Sequence, residues 1–210
     1  MKIPLYKPFV GKEEVGAATK VLQSGTLSRG KETKSFEEEF AKYVGKKFAI
    51  AVSNGTCGLH LSVRALGWKK NDEIITTPYS FISSANVLLY ESIRPVFVDI
   101  DKKTFNLDIS KIEKKITPKT KGLLLVDIWG MPIYSKELES FIKRYHLSVI
   151  EDACESIGND THVVGRIGNL TVYSFYENKQ ITTGGEGGII TTDDYSTAEI
   201  CRSLRDQGRS

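Results

Sequence analysis

The stretch FAIAVSNGTCGLHLSVRALG, residues 48–67, decides the fold. Residues 48–52 are a short apolar run that reads as a buried strand. Residues 53–56, Ser-Asn-Gly-Thr, form a turn, and residues 57–66 read as a helix closed by Gly67. The same rhythm continues along the chain. Strand 73–76 precedes helix 80–90. Strand 96–98 precedes helix 110–116, with Ser110 as its N-cap. The most apolar strand, 122–126, precedes helix 135–145. Strand 149–150 runs straight into Glu151 and Asp152, and strands 170–174 and 188–191 lead to a final helix at 195–204. Upstream, helix 12–22 carries Val15, Ala18, Thr19 and Leu22 on one face. Helix 33–44 carries Phe36, Phe40 and Tyr43 and is ended by Gly45. Apolar strands separated by crossover helices predict an α/β fold: a three-layer α/β/α sandwich around a mostly parallel sheet. Without a repeat or a Pro/Gly/Ser-rich linker, residues 1–210 read as one domain.

Composition narrows the function. The 210 residues are 40% hydrophobic and 26% charged, an ordinary globular balance that can bury a core without staples. No apolar run in the chain approaches the ~20 residues a membrane span needs, and MKIPLYKPFVGKEE lacks the continuous apolar stretch of a secretory leader. With 29 basic and 26 acidic residues intermixed, the net charge of +3 predicts a mixed solvated surface, not a nucleic-acid groove. Three distant cysteines, Cys57, Cys154 and Cys201, argue for a reducing compartment, hence a cytoplasmic location. The sequons beginning at Asn54, Asn159 and Asn169 are then incidental. His60, His146 and His162 share no ligand spacing with one another or with the cysteines, which argues against a zinc site.

In open α/β sheets ligands bind beyond the carboxyl ends of the strands, and three unusual segments fall there. The turn at residues 53–56 opens a helix whose Thr56 and Cys57 N–H groups could bind an anion such as phosphate. It is neither a Walker loop nor a dinucleotide fingerprint. Glu151 and Asp152 end a strand. Lys179 stands between an apolar strand and a run with four glycines in five residues, 184–188. Glycines so dense imply positive φ or close backbone approach, and a lysine in a partly desolvated cleft can act as a carbonyl-trapping amine. Each segment alone has an ordinary explanation: an N-cap, solvated loop acids, a surface lysine. Together they match pyridoxal 5'-phosphate, whose phosphate takes a helix N-terminus, whose pyridine nitrogen takes an acid and whose aldehyde takes a lysine. Phe81, just past another strand end, could cover the ring.

At this point the chain resembles the DegT/StrS-type sugar aminotransferases, pyridoxal-phosphate enzymes of fold type I (the aspartate-aminotransferase-like fold). The resemblance rests on residues 24–30 (SGTLSRG), 53–56 (SNGT), 95–101 (PVFVDID), 151–158 (EDACESIG) and 174–179 (SFYENK) with the glycine run. It runs from Ile3 to about Arg209. It implies that Lys179 bonds the cofactor aldehyde and shuttles a proton, and that Asp152 pairs with the pyridine nitrogen. Glu155 would contact the ring hydroxyl from a position where Gln or His is also common. Phe81 would stack on the ring, and Thr56, Cys57 and Ser174 would hold the phosphate. The 24–30 loop would receive the sugar nucleotide. The EDACES and SGxLSxG spellings look most like the branch that aminates 4-keto sugar nucleotides.

The resemblance further implies a ping-pong reaction through pyridoxamine phosphate, with glutamate as amino donor and a keto-deoxysugar nucleotide as acceptor, feeding lipopolysaccharide or other polysaccharide synthesis. It also implies a homodimer, without nucleic acid or membrane as partner. Dehydratases of the same family replace the lysine by His, so Lys179 argues for transamination. Two departures stand out. Asp127, in VDIWG (126–130), occupies a position where the family usually has His, which alters packing at the cofactor or sugar face or adds an acid near the cleft. Family members also continue for nearly as long again past the point matching Ser210, adding a small C-terminal domain with the active-site lid and an asparagine loop for the neighbouring phosphate site. The expectation is therefore a large domain, 1–210, with weak turnover by itself. The alternative is a non-catalytic domain that keeps the fold and binds cofactor or a partner.

Overall fold

The computed structural model describes residues 3–4, 6–159 and 163–209; His162 and part of the sequon at 159–161 lie outside them. Thirteen regular elements order as α1 (Lys12–Ser24), α2 (Lys31–Tyr43), β1 (Phe48–Val52), α3 (Gly55–Ala65), β2 (Glu73–Thr76), α4 (Ser83–Tyr90), β3 (Arg94–Phe97), β4 (Thr120–Val126), α5 (Lys136–Tyr145), β5 (Ser148–Asp152), β6 (Leu170–Ser174), β7 (Gly188–Thr192) and α6 (Tyr195–Arg205). The strands form one seven-stranded sheet in the order β1-β7-β6-β5-β4-β2-β3. The β2–β3, β2–β4, β4–β5 and β5–β6 pairs are parallel, and β7 alone runs antiparallel, to both β1 and β6. The mostly parallel α/β architecture read from the sequence is therefore the one observed.

Side chains alternate across a strand, and the core divides accordingly. Ile50, Ile74, Leu124, Ile150, Val172 and Ile190 pack on one face with Leu59 and Val63 of α3, Val87 and Leu88 of α4, and Cys201 of α6. Leu123, Leu125 and Val149 point to the other face, with Leu138 of α5. Ala49, Tyr173 and Ile189 meet Phe40 and Ala41 of α2 on a further cluster. Each fully buried Leu or Ile contributes about 1.5–3 kcal/mol. These two packed faces hold the strand ends in register. Both edge strands also have fewer free backbone groups. On β1, Ala51 N–H donates to Glu37 Oε1 (2.8 Å) and Ala51 C=O accepts from Arg205 (3.0 Å), with Arg205 and Glu37 paired to each other. On β3, Pro95 removes a donor at the opposite edge.

Two expected helices differ. Residues 110–116 form two 3₁₀ turns, Ile109–Lys111 and Glu113–Lys115. The cap is Asp108, not Ser110: its Oδ1 accepts from both the N–H (3.1 Å) and the hydroxyl (2.6 Å) of Ser110, a local turn that competes with a longer helix. The helix expected from residue 80 starts at Ser83, because Tyr79 N–H donates to Thr77 Oγ1 (3.1 Å) and holds the preceding residues in a turn. Among the described residues no helix is long and apolar enough to cross a membrane.

Candidate active site

The parallel strands deliver their carboxyl ends, and antiparallel β7 its first residue, to one edge of the sheet. A cleft of roughly 470 Å³ opens there. It is lined by Asn54 to Thr56 at the start of α3, Phe81, Val126, Asp152, Glu155, Ser174 and Lys179, among others. Six of the seven residues singled out in the sequence are thus brought to this cleft or its wall. Cys57 is not: it is exposed, and its N–H donates to Asn54 Oδ1 (2.8 Å). Asn54 caps the helix with its side chain in this way, so an anion at this helix meets the N–H groups of Gly55 and Thr56, which have no partner within the helix. The loop at residues 24–30 does not line the cleft; Arg29 pairs with Asp206 (2.6 Å) instead.

The cradle is tight. A side chain on Gly55 would put its Cβ 2.9 Å from Cys154 Sγ and 3.2 Å from Ser174 Cβ. On Gly188, a Cβ would lie 2.6 Å from the carbonyl carbon of Asn54. Gly188 is therefore required where β7 passes behind the turn that opens α3. Ser174 Oγ accepts from Tyr176 N–H (3.3 Å), which leaves its proton free to be donated.

Asp152 is 5% exposed and sits at the end of β5 on the α4 side of the sheet. Its Oδ2 accepts from Ser84 Oγ (2.7 Å), and its Oδ1 from Cys154 N–H (3.3 Å). Burial pushes the Asp152 carboxyl above its ordinary range, against the pull of the Cys154 and Ser84 donors and of the Lys179 charge. Burial, together with the Asp152 charge, also pushes the Cys154 thiol up, so it stays a neutral neighbour. Ser84 in turn exchanges a hydrogen bond with Ser80 Oγ (2.7 Å). Neither serine was singled out in the sequence. The available signal was their i, i+4 spacing just after a strand end.

Lys179 follows β6 in a turn closed by its N–H on Tyr176 C=O (2.9 Å). Its side chain is 19% exposed, and Nζ lies 3.5 Å from Glu155 Oε1. Glu155 is itself held: Oε2 accepts from Trp129 N–H (2.8 Å), and its C=O accepts from Gln180 Nε2 (2.6 Å). Phe81 is 74% exposed at the rim, a flat apolar face without a packing role in the core. Asp127 does not enter the cleft. It lies on the sheet face opposite Asp152, fully buried, with Oδ1 accepting from Ile133 N–H (2.9 Å). His60 Nε2 lies 2.8 Å from Glu91 Oε1.

An open helix N-terminus, a buried acid and an amine thus meet around one cleft at the carboxyl edge of a mostly parallel α/β sheet. Comparison with known proteins makes this specific. The model of the DegT/DnrJ/EryC1/StrS aminotransferase family matches residues 8–210. The chain belongs to that family. It is 43% identical over 210 residues to an uncharacterized protein of Methanocaldococcus jannaschii, covering 99% of this chain and 54% of the relative. It is 37% identical over 209 residues to the GDP-perosamine synthase of Escherichia coli O157:H7, covering 98% and 57%. The chain thus spans about half the length of the curated relatives it matches. Among solved structures, an aminotransferase from Psychrobacter cryohalolentis superposes with a TM-score of 0.92 at 34% identity, covering 99% of this chain and 54% of that one. An E. coli GDP-4-keto-6-deoxy-D-mannose-3-dehydratase with bound hydrated pyridoxal phosphate superposes with a TM-score of 0.90 at 32% identity, covering 97% and 54%.

Proposed function

We propose that residues 1–210 are the pyridoxal-phosphate-binding large domain of a sugar-nucleotide aminotransferase. The reaction moves an amino group from an amino acid, glutamate, to a keto-deoxysugar carried on a nucleotide, for polysaccharide synthesis. The observation that carries this reading is the convergence of Lys179, buried Asp152 and the open N-terminus of α3 on one cleft. The residues fit the three demands of the cofactor. The phosphate would be held by the Gly55 and Thr56 N–H groups, the Thr56 hydroxyl and Ser174 Oγ. The pyridine nitrogen would be held by Asp152, already oriented by Ser84 Oγ at 2.7 Å. The aldehyde would be held by Lys179 Nζ.

When bound, pyridoxal phosphate supplies an electron sink for the carbon that loses its proton. The chain supplies the rest. With the cofactor bound, Asp152 would hold a proton on the ring nitrogen. Lys179 Nζ would hold the aldehyde and would serve as the amine that gives and takes the proton at the reacting carbon. Glu155, 3.5 Å from that amine, would orient it and contact the ring hydroxyl. Phe81 would cover the ring. Dehydratases share this fold, and the presence of Lys179 at the family's lysine position favours transamination over dehydration.

The same reading includes assembly as a homodimer and a cytoplasmic location. Incubation with 15N-labelled glutamate and a nucleotide-linked 4-keto-6-deoxysugar tests the proposal by mass spectrometry. The 15N label is expected in an amino sugar nucleotide. Loss of a sugar hydroxyl without nitrogen gain would assign the dehydratase chemistry instead.

A further inference from the structure

Two carboxyl groups lie together in the interior on the sheet face that the proposed chemistry does not use. Asp127 is 0% exposed and Glu151 2% exposed. They lie on the same sheet face at the ends of the paired strands β4 and β5: Glu151 is in register with Leu125, and Asp127 follows two residues further on. Asp127 Oδ1 accepts from Ile133 N–H (2.9 Å), and Glu151 Oε1 accepts from Gly165 N–H (2.7 Å). The remaining oxygens, Asp127 Oδ2 and Glu151 Oε2, receive no hydrogen bond from the described residues. Two buried carboxylates in contact repel each other with no solvent to screen them, whereas one proton between them turns both leftover oxygens into partners.

We propose that Asp127 and Glu151 share a single proton in a carboxylic acid–carboxylate hydrogen bond, and that this buried pair positions the end of β5 that carries Asp152. The connections run both ways across the strand ends. Asp127 N–H donates to Asp152 C=O (3.0 Å), and Asp127 C=O accepts from Ser156 Oγ (3.3 Å) and Gly130 N–H (3.2 Å). Glu151 is the chain neighbour of Asp152 on β5 and ties that strand to residue 165. One proton thus joins β4, β5 and the 128–133 turn, whose Trp129 N–H holds Glu155. Asp127 and Glu151 are positioning residues and touch no cofactor atom.

The surroundings agree. Burial, and then the charge of the facing carboxylate, push Asp127 well above its ordinary range, with Asp152 adding to the same direction. Burial raises Glu151 too, opposed by its backbone donors, by Asp127 and by the positive charge of Lys46. Lys46 is already engaged by Asp193 at 3.0 Å. The nearby Tyr173 phenol is held neutral by burial and by the same two acids. A folded-state pKa above the unfolded one makes the associated stability complete below the ordinary carboxylate range; it is lost as pH rises through the folded value.

The test uses the protein without cofactor, so that its outcome is independent of the proposed function. Infrared spectra at pH 7 are expected to contain the carbonyl band of a protonated carboxyl that persists in Asp152→Asn and disappears in Asp127→Asn and Glu151→Gln. Asp127→Asn supplies a permanent N–H in place of the shared proton and keeps the Ile133 contact. Its melting temperature is therefore expected to gain on the wild type progressively as pH rises from 5 to 9, while Asp127→Leu melts lower than either. If the acid variants do not fold, the band in Asp152→Asn alone decides. Absence of the band from the wild type, its loss in Asp152→Asn, or a melting-temperature difference between Asp127→Asn and wild type that does not change with pH would overturn the proposal.

Discussion

Ser84 Oγ stands 2.7 Å from Asp152 Oδ2 and donates to it, a contact between the first turn of α4 and the end of β5. It fixes a buried carboxylate that faces the cleft. Because the acceptor is nearly solvent-free, removing the donor leaves Oδ2 without its hydrogen bond, and only Cys154 N–H on Oδ1 remains. Ser84→Ala is expected to destabilise the domain by about 1.5–3 kcal/mol, the range for hydrogen bonds to charged groups, and to weaken cofactor retention. Urea unfolding and a cofactor-release assay check both effects.

Asp152 gives the opposite balance between stability and function. Its carboxyl is raised by burial, so it stabilises the fold fully below an ordinary pKa of about 3.9 and progressively less as pH rises through its folded value. Asp152→Asn removes that loss. The melting temperature of the cofactor-free variant is expected to match wild type near pH 4 and exceed it by pH 8, while transamination by the active form falls sharply. A variant that melts below wild type at pH 8 would assign Asp152 a stabilising role at odds with its burial.

Gly188→Ala drives a Cβ to within 2.6 Å of the Asn54 carbonyl carbon, which belongs to backbone and cannot rotate away. Overpacking of this kind costs about 1–3 kcal/mol. The displaced turn is the one that opens α3, so affinity for phosphate-bearing ligands is expected to fall with stability. Thermal melts with and without pyridoxal phosphate would show a smaller ligand-induced shift than in the wild type.

Phe81, 74% exposed, separates binding from folding. Phe81→Ala is expected to change stability by less than about 0.5 kcal/mol, as exposed substitutions do. Losing a stacking face worth about 0.5–1.5 kcal/mol lowers cofactor affinity by up to about tenfold. Fluorescence titration with pyridoxal phosphate measures it, and Phe81→Tyr should restore it.

Local pattern was enough for much of the fold. Strands 48–52, 73–76 and 170–174 appear residue for residue, because apolar runs bounded by turn formers leave little choice of pairing. Helix 110–116 failed because Asp108 captures Ser110 locally, a competition that helical periodicity does not register. At the site, Lys179 and Asp152 were legible as unusual residues at strand ends. Ser84, in helix α4, was not, since its importance comes from a partner 68 positions away at the end of β5. Cys57 was given a phosphate role from its place at a helix start, but the Asn54 side chain already occupies its N–H. Asp127 was visible as a departure near the cleft. Only strand parity, with Asp127 and Glu151 on one face and Asp152 on the other, separates it from the chemistry.

The central claim is that Lys179 Nζ is the group that bonds the cofactor. Pyridoxal phosphate is added to the purified protein, borohydride fixes any carbon–nitrogen double bond, and peptide mass spectrometry locates the label. The account predicts one phosphopyridoxyl group, on the peptide containing Lys179, and none on that site in Lys179→Ala. A label spread over surface lysines, or confined to another residue while Lys179 stays unmodified, would contradict it.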